Sequence, residues 1–586
     1  MEMVPGETAP MSVDTRNLLL CVLVTLAAML VAWPFAEGGY IDDFSYIHMA
    51  KTLAETGRFA YNGWPTAMLG IQVWWGAAWI WLFGFSFTLV RLSVWPLALG
   101  AVALVYLIAR RARLTPADSL FAALLTGLST QFIDLAPTFM TDLPALSLLL
   151  ASWYGFTRAI EEADQRPADE LRVLRWLVTA LACGIVGGTI RQSVWFSLLS
   201  GSAILFLRPG MTPRVRGLAF FAGGIGLACI IVGVRWFNSQ PYAIPSQVLP
   251  LRLENVGRWF DGIRAFVGVV VPVVLLPMTS AAVWCLPTLW PKGAWRPTHW
   301  ALIAAVLIAT AAIVLPAHRH AFDGVIQLFG QRGPVSVSAA IYEAAIAGFR
   351  ITRLALLLFV LGVMAWDGQR CRREIVAVIR RLPPAIVVMS AYLVLYLPAV
   401  IQASATTGGL WERYLLPVFP AVCCALLLWV EQRRSHLERR SVWGLCLLAV
   451  MAVYSVAFTH DRFADCRARV AAIAYLQGQG VPRNQIMTGW HIDGWAQIEA
   501  VGYLNDPRIR TPADAYVPPA PPHYRHGNNL LRALTPEFLV TDGSAECLGN
   551  REEFLDFPYT AWIPPHERRV FVCHQTAIEA ESVPDR

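Results

Sequence analysis

Repetition constrains this chain most: apolar stretches of about 20 residues recur from Asn17 onward, separated by short segments rich in arginine. A helix of that length matches the hydrocarbon thickness of a bilayer. Lipid tolerates only backbones that satisfy their own hydrogen bonds, which means helices or closed barrels. Charged residues make up 15% of the chain and hydrophobic ones 56%, well off the balance of a soluble domain. The runs predict spans at 17–36, 88–109, 117–134, 143–160, 174–190, 193–207, 217–236, 265–290, 298–317, 351–366, 384–402, 415–430 and 441–458. The first, Asn17 to Phe35, is long for the apolar region of a signal peptide and is expected to stay in the protein.

One apolar segment is held out of this set. Leu69 to Phe85 is short and interrupted by glycine, and its Trp74, Trp75, Trp79 and Trp81 suit a helix lying in the headgroup layer. With that choice the inside loops collect the arginines. They hold Arg16, Arg110, Arg111 and Arg113, then Arg158, Arg166, Arg172 and Arg175, then Arg208, Arg214 and Arg216. Lys292 and Arg296 follow, then Arg370, Arg372, Arg373, Arg380 and Arg381, and last Arg433, Arg434, Arg439 and Arg440. Counting Leu69–Phe85 as a span would flip every later loop and destroy this bias. The expected fold class is therefore an α-helical polytopic membrane protein of about thirteen transmembrane helices with a small C-terminal extracytoplasmic α/β domain.

The expected divisions are a cytoplasmic N-terminus at 1–16, a transmembrane domain at 17–458 whose first extracytoplasmic loop is 37–87, and a soluble extracytoplasmic domain at 459–586. In the last, Asp465 to Gly478 reads as helix, while Gln485–Met487 and Glu537–Thr541 read as strands. The Pro-rich Val517–Pro522 reads as a loop. The net charge of +7 does not point to nucleic acid, because the arginines sit between apolar runs rather than in a basic patch. The cysteines show no metal-ligand spacing. Cys466, Cys547 and Cys573 fall in the outer domain, where a Cys547–Cys573 disulfide with one thiol left free is expected.

Chemistry concentrates at the outside ends of spans. Asp42-Asp43 follows the first span, and Thr141-Asp142 opens the fourth. Helix capping alone accounts for either site. Two acidic sites at one mouth of a bundle also provide a base and an acceptor-orienting carboxylate. Arg413-Tyr414 at the mouth of the twelfth span, and Arg191 in a very short loop, are outside arginines that need an anionic partner. His318-Arg319-His320 reads as a solvated loop.

These features resemble the membrane-embedded GT-C glycosyltransferases that use polyprenyl-phosphate sugars, in particular bacterial relatives of the protein O-mannosyltransferases and lipid A aminoarabinose transferases. The resemblance covers roughly 17–430. It rests on Asp42-Asp43, the run to Thr52-Leu53-Ala54 and Gly57, the Trp-rich helix, Phe83-Gly84 with Arg91, Thr141-Asp142, and Arg413-Tyr414-Leu415-Leu416-Pro417. It implies that Asp42 is the general base, that Asp43 supports it and that Asp142 orients the acceptor. It implies that Arg413 and Tyr414, with Arg191, hold the lipid phosphate, and that transfer inverts the anomeric carbon. The implied partners are a polyprenyl-phosphate-linked sugar and an acceptor protein, lipid or glycan, within the lipids of a bacterial cytoplasmic (inner) membrane. No obligatory metal or other cofactor is expected, although three aspartates could ligate a divalent ion. The chain departs from the aminoarabinose transferases where they carry Glu-Lys-Pro. Here the stretch is Ala67-Met68-Leu69-Gly70-Ile71 with no lysine, and Lys51, an arginine or a different donor head group compensates for the missing phosphate-binding one. A transporter or lipid-carrier flippase stays open as the alternative, although ionisable residues at one face and the lack of an internal repeat count against it.

Overall fold

A computed structural model describes residues 12–165, 169–245, 252–270, 382–407, 411–431, 442–518, 529–542, 555–563 and 565–574. The expected spans 298–317 and 351–366, and most of 265–290, lie outside the described residues. So do Arg166, Lys292, Arg296, the 318–320 cluster, the arginines at 370–381 and 433–440, Cys547 and most of the Pro-rich stretch.

Helices dominate. α1 is Val13–Val31, started by Ser12, whose side chain accepts from the Thr15 amide. α2 (Asp43–Thr56) ends at Gly57 in the left-handed conformation. α3 is Gly70–Phe83, and α4 (Phe87–Leu92) leads into α5 (Trp95–Arg111). Then come α6 (Pro116–Gly127), α7 (Thr130–Leu135), α8 (Asp142–Asp164) and α9 (Glu170–Ile190). After a 3₁₀ turn at Gln192–Trp195 follow α10 (Phe196–Leu207), α11 (Pro213–Ser239) and α12 (Val256–Val270). α13 is Pro384–Thr407, α14 is Val418–Glu431, α15 is Val442–Gly478 and α16 is Trp490–Val501.

Among the described residues, six helices are long and apolar enough to cross a membrane. They are Val13–Val31, Phe87–Arg111, Glu170–Ile190, Pro213–Ser239, Pro384–Thr406 and Gly444–Gly478, which makes the chain a multi-pass membrane protein. α11 leaves Phe220, Phe221 and Val232 exposed, as a lipid-facing helix should. α8 behaves differently. It packs against α5, α9, α10 and α13 and buries Ser147, Ser152 and Thr157. Enclosed by protein, it needs no apolar outer face. Small residues allow the close crossing: a Cβ on Gly155 would lie 2.9 Å from the Cβ of Ala180 on α9.

Two expectations are corrected. The single span at 117–134 is two helices, broken at Leu128–Ser129. The Ser129 hydroxyl bonds back to the Thr126 carbonyl at 2.8 Å, and the hydroxyl of Ser455 on α15 takes the Leu128 carbonyl at 3.0 Å. Irregular backbone at membrane depth survives only with such partners. The last span and the Asp465–Gly478 helix are one uninterrupted helix, α15. At 37 residues it is about 55 Å long, roughly 25 Å more than the bilayer core.

The upper half of α15 is the core helix of the C-terminal region. Its Ala468, Ala472, Ile473 and Leu476 bury against Ile486, Val540, Val570 and Val572 of a four-stranded sheet. β1 (Ile486–Met487) and β2 (Phe538–Thr541) match the expected strands and pair in parallel. β3 (Leu555–Trp562) and β4 (Pro565–His574) form an antiparallel hairpin, and the sheet order is β1-β2-β4-β3. Cys573 is disulfide-bonded, whereas Cys466 is free and buried.

This tail is stitched to the helix bundle. The Leu504 amide donates to the Asn62 carbonyl at 2.9 Å, the Gly63 amide to the Tyr242 carbonyl at 2.9 Å, and the Tyr242 amide to the Thr511 carbonyl at 2.7 Å. α16 lies on α2, with Phe44 buried among Ala496, Ile498 and Trp490. The segment 37–87 is thus held between the bundle and the tail.

Candidate active site

The residues after α1 turn sharply before α2 begins. Ile41 sits at φ 52°, a left-handed conformation that a β-branched residue adopts only under constraint. The constraint is visible. The Tyr40 amide donates to Asp43 Oδ1 at 2.8 Å, and the Tyr40 hydroxyl donates to Asp134 at 2.6 Å. Gly39 lies so close to the His491 carbonyl that no Cβ fits.

Asp43 is the anchor of this turn. Arg91 grips it with both prongs of its fork, Nε to Oδ2 at 2.7 Å and Nη2 to Oδ1 at 3.1 Å. The same guanidinium donates to the carbonyls of Ala36 at 2.9 Å and Gly38 at 2.6 Å, and the Phe139 amide reaches Asp43 Oδ2 at 3.3 Å. Both Asp43 oxygens are thus engaged, and with side-chain exposures of 0% for Asp43 and 2% for Arg91 the pair has no free acceptor to offer a substrate.

Asp42, the residue that opens α2, points the other way. Its Oδ2 accepts from Arg413 Nη2 at 2.8 Å, and the two side chains are 14% and 16% exposed. Arg413 comes from a 3₁₀ turn at Glu412–Leu415, between α13 and α14. At the first residue of α8, Asp142 holds an ion pair with Arg191, which follows the last residue of α9. The Asp142 side chain is only 1% exposed.

Tyr414 joins the two pairs. Its ring lies 4.8 Å from the Arg191 guanidinium and 5.8 Å from that of Arg413. Its carbonyl accepts from the Tyr396 hydroxyl at 2.6 Å, which fixes the turn against α13. Trp411 covers the other side, 5.4 Å from Arg413. Two buried atoms in this cluster have no hydrogen-bond partner: Asp142 Oδ2 and Arg413 Nε. Buried polar atoms are normally hydrogen-bonded, so both are open to a partner from outside the chain.

The charges are mutually dependent. Burial works against the charge on Arg413, yet Asp42 and then Asp142 hold it above the ordinary arginine range. Burial likewise opposes the charge on Arg191, and Asp142, Tyr414 and Tyr396 together outweigh it. Burial pushes the neighbouring Glu412 carboxyl up. Tyr46, one turn after Asp42 on the same face of α2, feels Asp42, Arg413, Arg191 and Asp142 together, and burial keeps its phenol protonated.

The structure therefore brings together Asp42, Asp142, Arg191 and the adjacent Arg413 and Tyr414 from four separate segments of chain. Two expected residues are elsewhere. Asp43 is spent on Arg91 and serves the turn rather than the substrate. Lys51 lies nine residues after Asp42, about 13 Å along α2, where it pairs with Glu499 of α16 at 2.6 Å. There its ammonium stands 5.2 Å over Phe85 and 5.3 Å over Trp495, so it clasps the tail and does not face the cluster. Tyr46 and Tyr396 belong to the site but carried no separate signal; for Tyr46 the spacing of four from Asp42 is the clue. Among the described residues no group of three or more His, Cys, Asp or Glu side chains could hold a metal ion. Asp42 and Asp142 each face a guanidinium instead.

No protein-family model matches the chain, and no curated protein does. Solved structures do show likeness. ArnT from Cupriavidus metallidurans in the apo state is similar over 96% of this chain and 98% of its own, at 14% identity and a TM-score of 0.40. The archaeal oligosaccharyltransferase AglB from Archaeoglobus fulgidus, solved with an inhibitory peptide and a dolichol-phosphate, is similar over 91% of this chain and 70% of its own, at 13% identity and a TM-score of 0.46. The arabinosyltransferase EmbB from Mycobacterium smegmatis covers 80% of this chain and 44% of its own, at 15% identity and a TM-score of 0.33.

Proposed function

We propose that this protein is an inverting glycosyltransferase that moves a sugar from a polyprenyl-phosphate carrier to an acceptor on the extracytoplasmic face of the cytoplasmic membrane. One observation carries the reading. Two carboxylates and two arginines from distant segments meet at one mouth of a membrane bundle, with a carboxylate oxygen and a guanidinium nitrogen both buried and unpartnered.

In the proposed step Asp42 takes the proton of the acceptor hydroxyl or amine. The freed lone pair forms the bond to the anomeric carbon. The carbon–oxygen bond to phosphate breaks, its electrons stay on the phosphate oxygen, and polyprenyl phosphate departs. Arg413, with Arg191, balances the charge that grows on that oxygen. Asp42 is the base rather than Asp142 because it is the more accessible carboxylate, at 14% against 1% side-chain exposure. Asp142 Oδ2 is left to orient the acceptor. Attack from the face opposite the leaving phosphate inverts the sugar. The proposal includes no obligatory metal, since each carboxylate already faces a cation.

Support for the orientation comes from the helix ends. Arg110 and Arg111 close α5 at the end of the bundle away from the site, as the cytoplasmic side should read. The disulfide at Cys573 suits an oxidising compartment for the tail. The test is transfer by the purified protein, supplied with a panel of polyprenyl-phosphate sugars and membrane-derived acceptors. Asp42→Asn should abolish transfer by at least about a hundredfold, and a chelator should leave it unchanged. Full activity in Asp42→Asn sinks the mechanism; loss with chelator, restored by magnesium or manganese, sinks its metal-free form.

A further inference from the structure

The chain uses the arginine fork in two ways. Arg91 commits both Nε and Nη2 to Asp43, the two-pronged arrangement that gives the strongest carboxylate pairs. Arg413 holds Asp42 through Nη2 alone, at 2.8 Å, while its Nε is buried with no partner. Half of that fork is unused. An anion with several oxygens can satisfy Nε and Nη2 together, and by taking Nη2 it removes the bond to Asp42.

We infer that the Asp42–Arg413 pair is a latch opened by the donor's phosphate, so that the lipid phosphate binds first and its arrival releases the base for the acceptor. The inference rests on the reading of this cluster as a phosphate-lipid site. It resolves a conflict within that reading: with Arg413 on Asp42, the base is occupied and the phosphate-binding edge is half blocked. The cluster is balanced before the phosphate enters, with two guanidinium groups and two carboxylates, so the incoming charge leaves Asp42 as the surplus anion, which is the state that favours its taking up the acceptor's proton. Trp411 and Tyr414, against the Arg413 guanidinium at 5.4 and 5.8 Å, keep its plane in place while its partner changes. The consequence is a site in which Asp42 is held back from acceptors until a donor is seated.

Undecaprenyl phosphate is the probe, with its affinity for the full detergent-solubilised chain measured by native mass spectrometry. If the latch is shut about nine-tenths of the time, removing it tightens binding about tenfold. Asp42→Asn, which has no charge with which to compete for Arg413, should show that gain. In an Arg413→Gln background the same change should leave affinity within about twofold, because no latch remains to open. Affinity unchanged or weakened in Asp42→Asn overturns the latch while leaving the functional reading intact. An equal gain in both backgrounds also overturns it, since Asp42 would then act only as a distant charge. Failure of the unmodified chain to bind the probe overturns the functional reading and the latch together. Should Arg413→Gln lose its native gel-filtration profile, Arg413→Lys serves, because lysine has no fork and the gain should again shrink to about twofold.

Discussion

Arg91 offers the sharpest test of how the site is built. Arg91→Met removes a guanidinium that is 2% exposed and keeps a chain of similar length, so little packing volume is lost. It leaves the Asp43 carboxylate, at 0% exposure, with two backbone amides and no cation. Breaking a buried pair from one side costs about 3–5 kcal/mol, and the deserted carbonyls of Ala36 and Gly38 add to that cost. Asp43→Asn alone should be less severe, and Asp43→Asn with Arg91→Met should recover part of the loss because no bare charge remains. The assay is unfolding of the purified protein in detergent, followed by tryptophan fluorescence across a denaturant series, with transfer activity measured in parallel. Activity should fall along with stability, since the Ile41 turn that aims Asp42 hangs from this pair. A loss below about 1 kcal/mol for Arg91→Met, the range of solvent-exposed pairs, would refute the claim that the pair is sealed and supports the turn.

Other consequences are simpler to check. Arg191→Gln should cost about 3 kcal/mol in the same unfolding assay, because Asp142 is left buried without its cation; a neutral result would show that water reaches it. Lys51→Ala should cost no more than about 1 kcal/mol and leave the donor KM unchanged, since its partner is the half-exposed Glu499; a raised donor KM would return Lys51 to the site. Burial pushes His48, under Trp495 at the seam between α2 and the tail, from 6.5 down to about 4. The folded state therefore favours the neutral ring. Its contribution is complete above pH 6.5, falls as the pH drops from there toward 4, and is level below. Limited proteolysis of the tail should become faster across that window, and His48→Phe should flatten the dependence.

The legible parts of this molecule were those where membrane physics leaves few choices. A carboxylate or arginine at a span end either caps a helix or serves a ligand, so Asp42, Asp142, Arg191 and Arg413 stood out, and all four meet at one mouth. The contribution of Arg91 was harder to see. Placed within the apolar run of α4, it looks like an arginine snorkelling at the end of a span, and its partner Asp43 lies 48 residues earlier in the chain. Which aspartate of the pair faces the site depends on that contact, which is why both looked available. The break between α6 and α7 depends on Ser455, more than 300 residues away, and periodicity carries no trace of such a partner. The β3–β4 hairpin leaves little trace in the sequence because its apolar alternation is weak: Glu567 and Arg569 are exposed, but the residue between them is the half-buried Arg568 rather than an apolar one. Within α15, Asp461, Arg462 and Asp465 mark the edge of the apolar run, and in the sequence that change of solvent looks the same as a change of element.

That unbroken α15 makes the membrane and the tail turn as one shaft. Each residue of an α-helix advances about 100° and 1.5 Å, so one residue inserted near Phe458 would rotate everything above it by more than a quarter turn. The seam to α2 would be thrown out of phase, and with it the contacts at Gly39 and Phe44 that flank Asp42. Two residues, or a whole turn of four, differ greatly in consequence although they differ little in length. The angular setting of this one helix is thus as much a part of the site as any side chain within it.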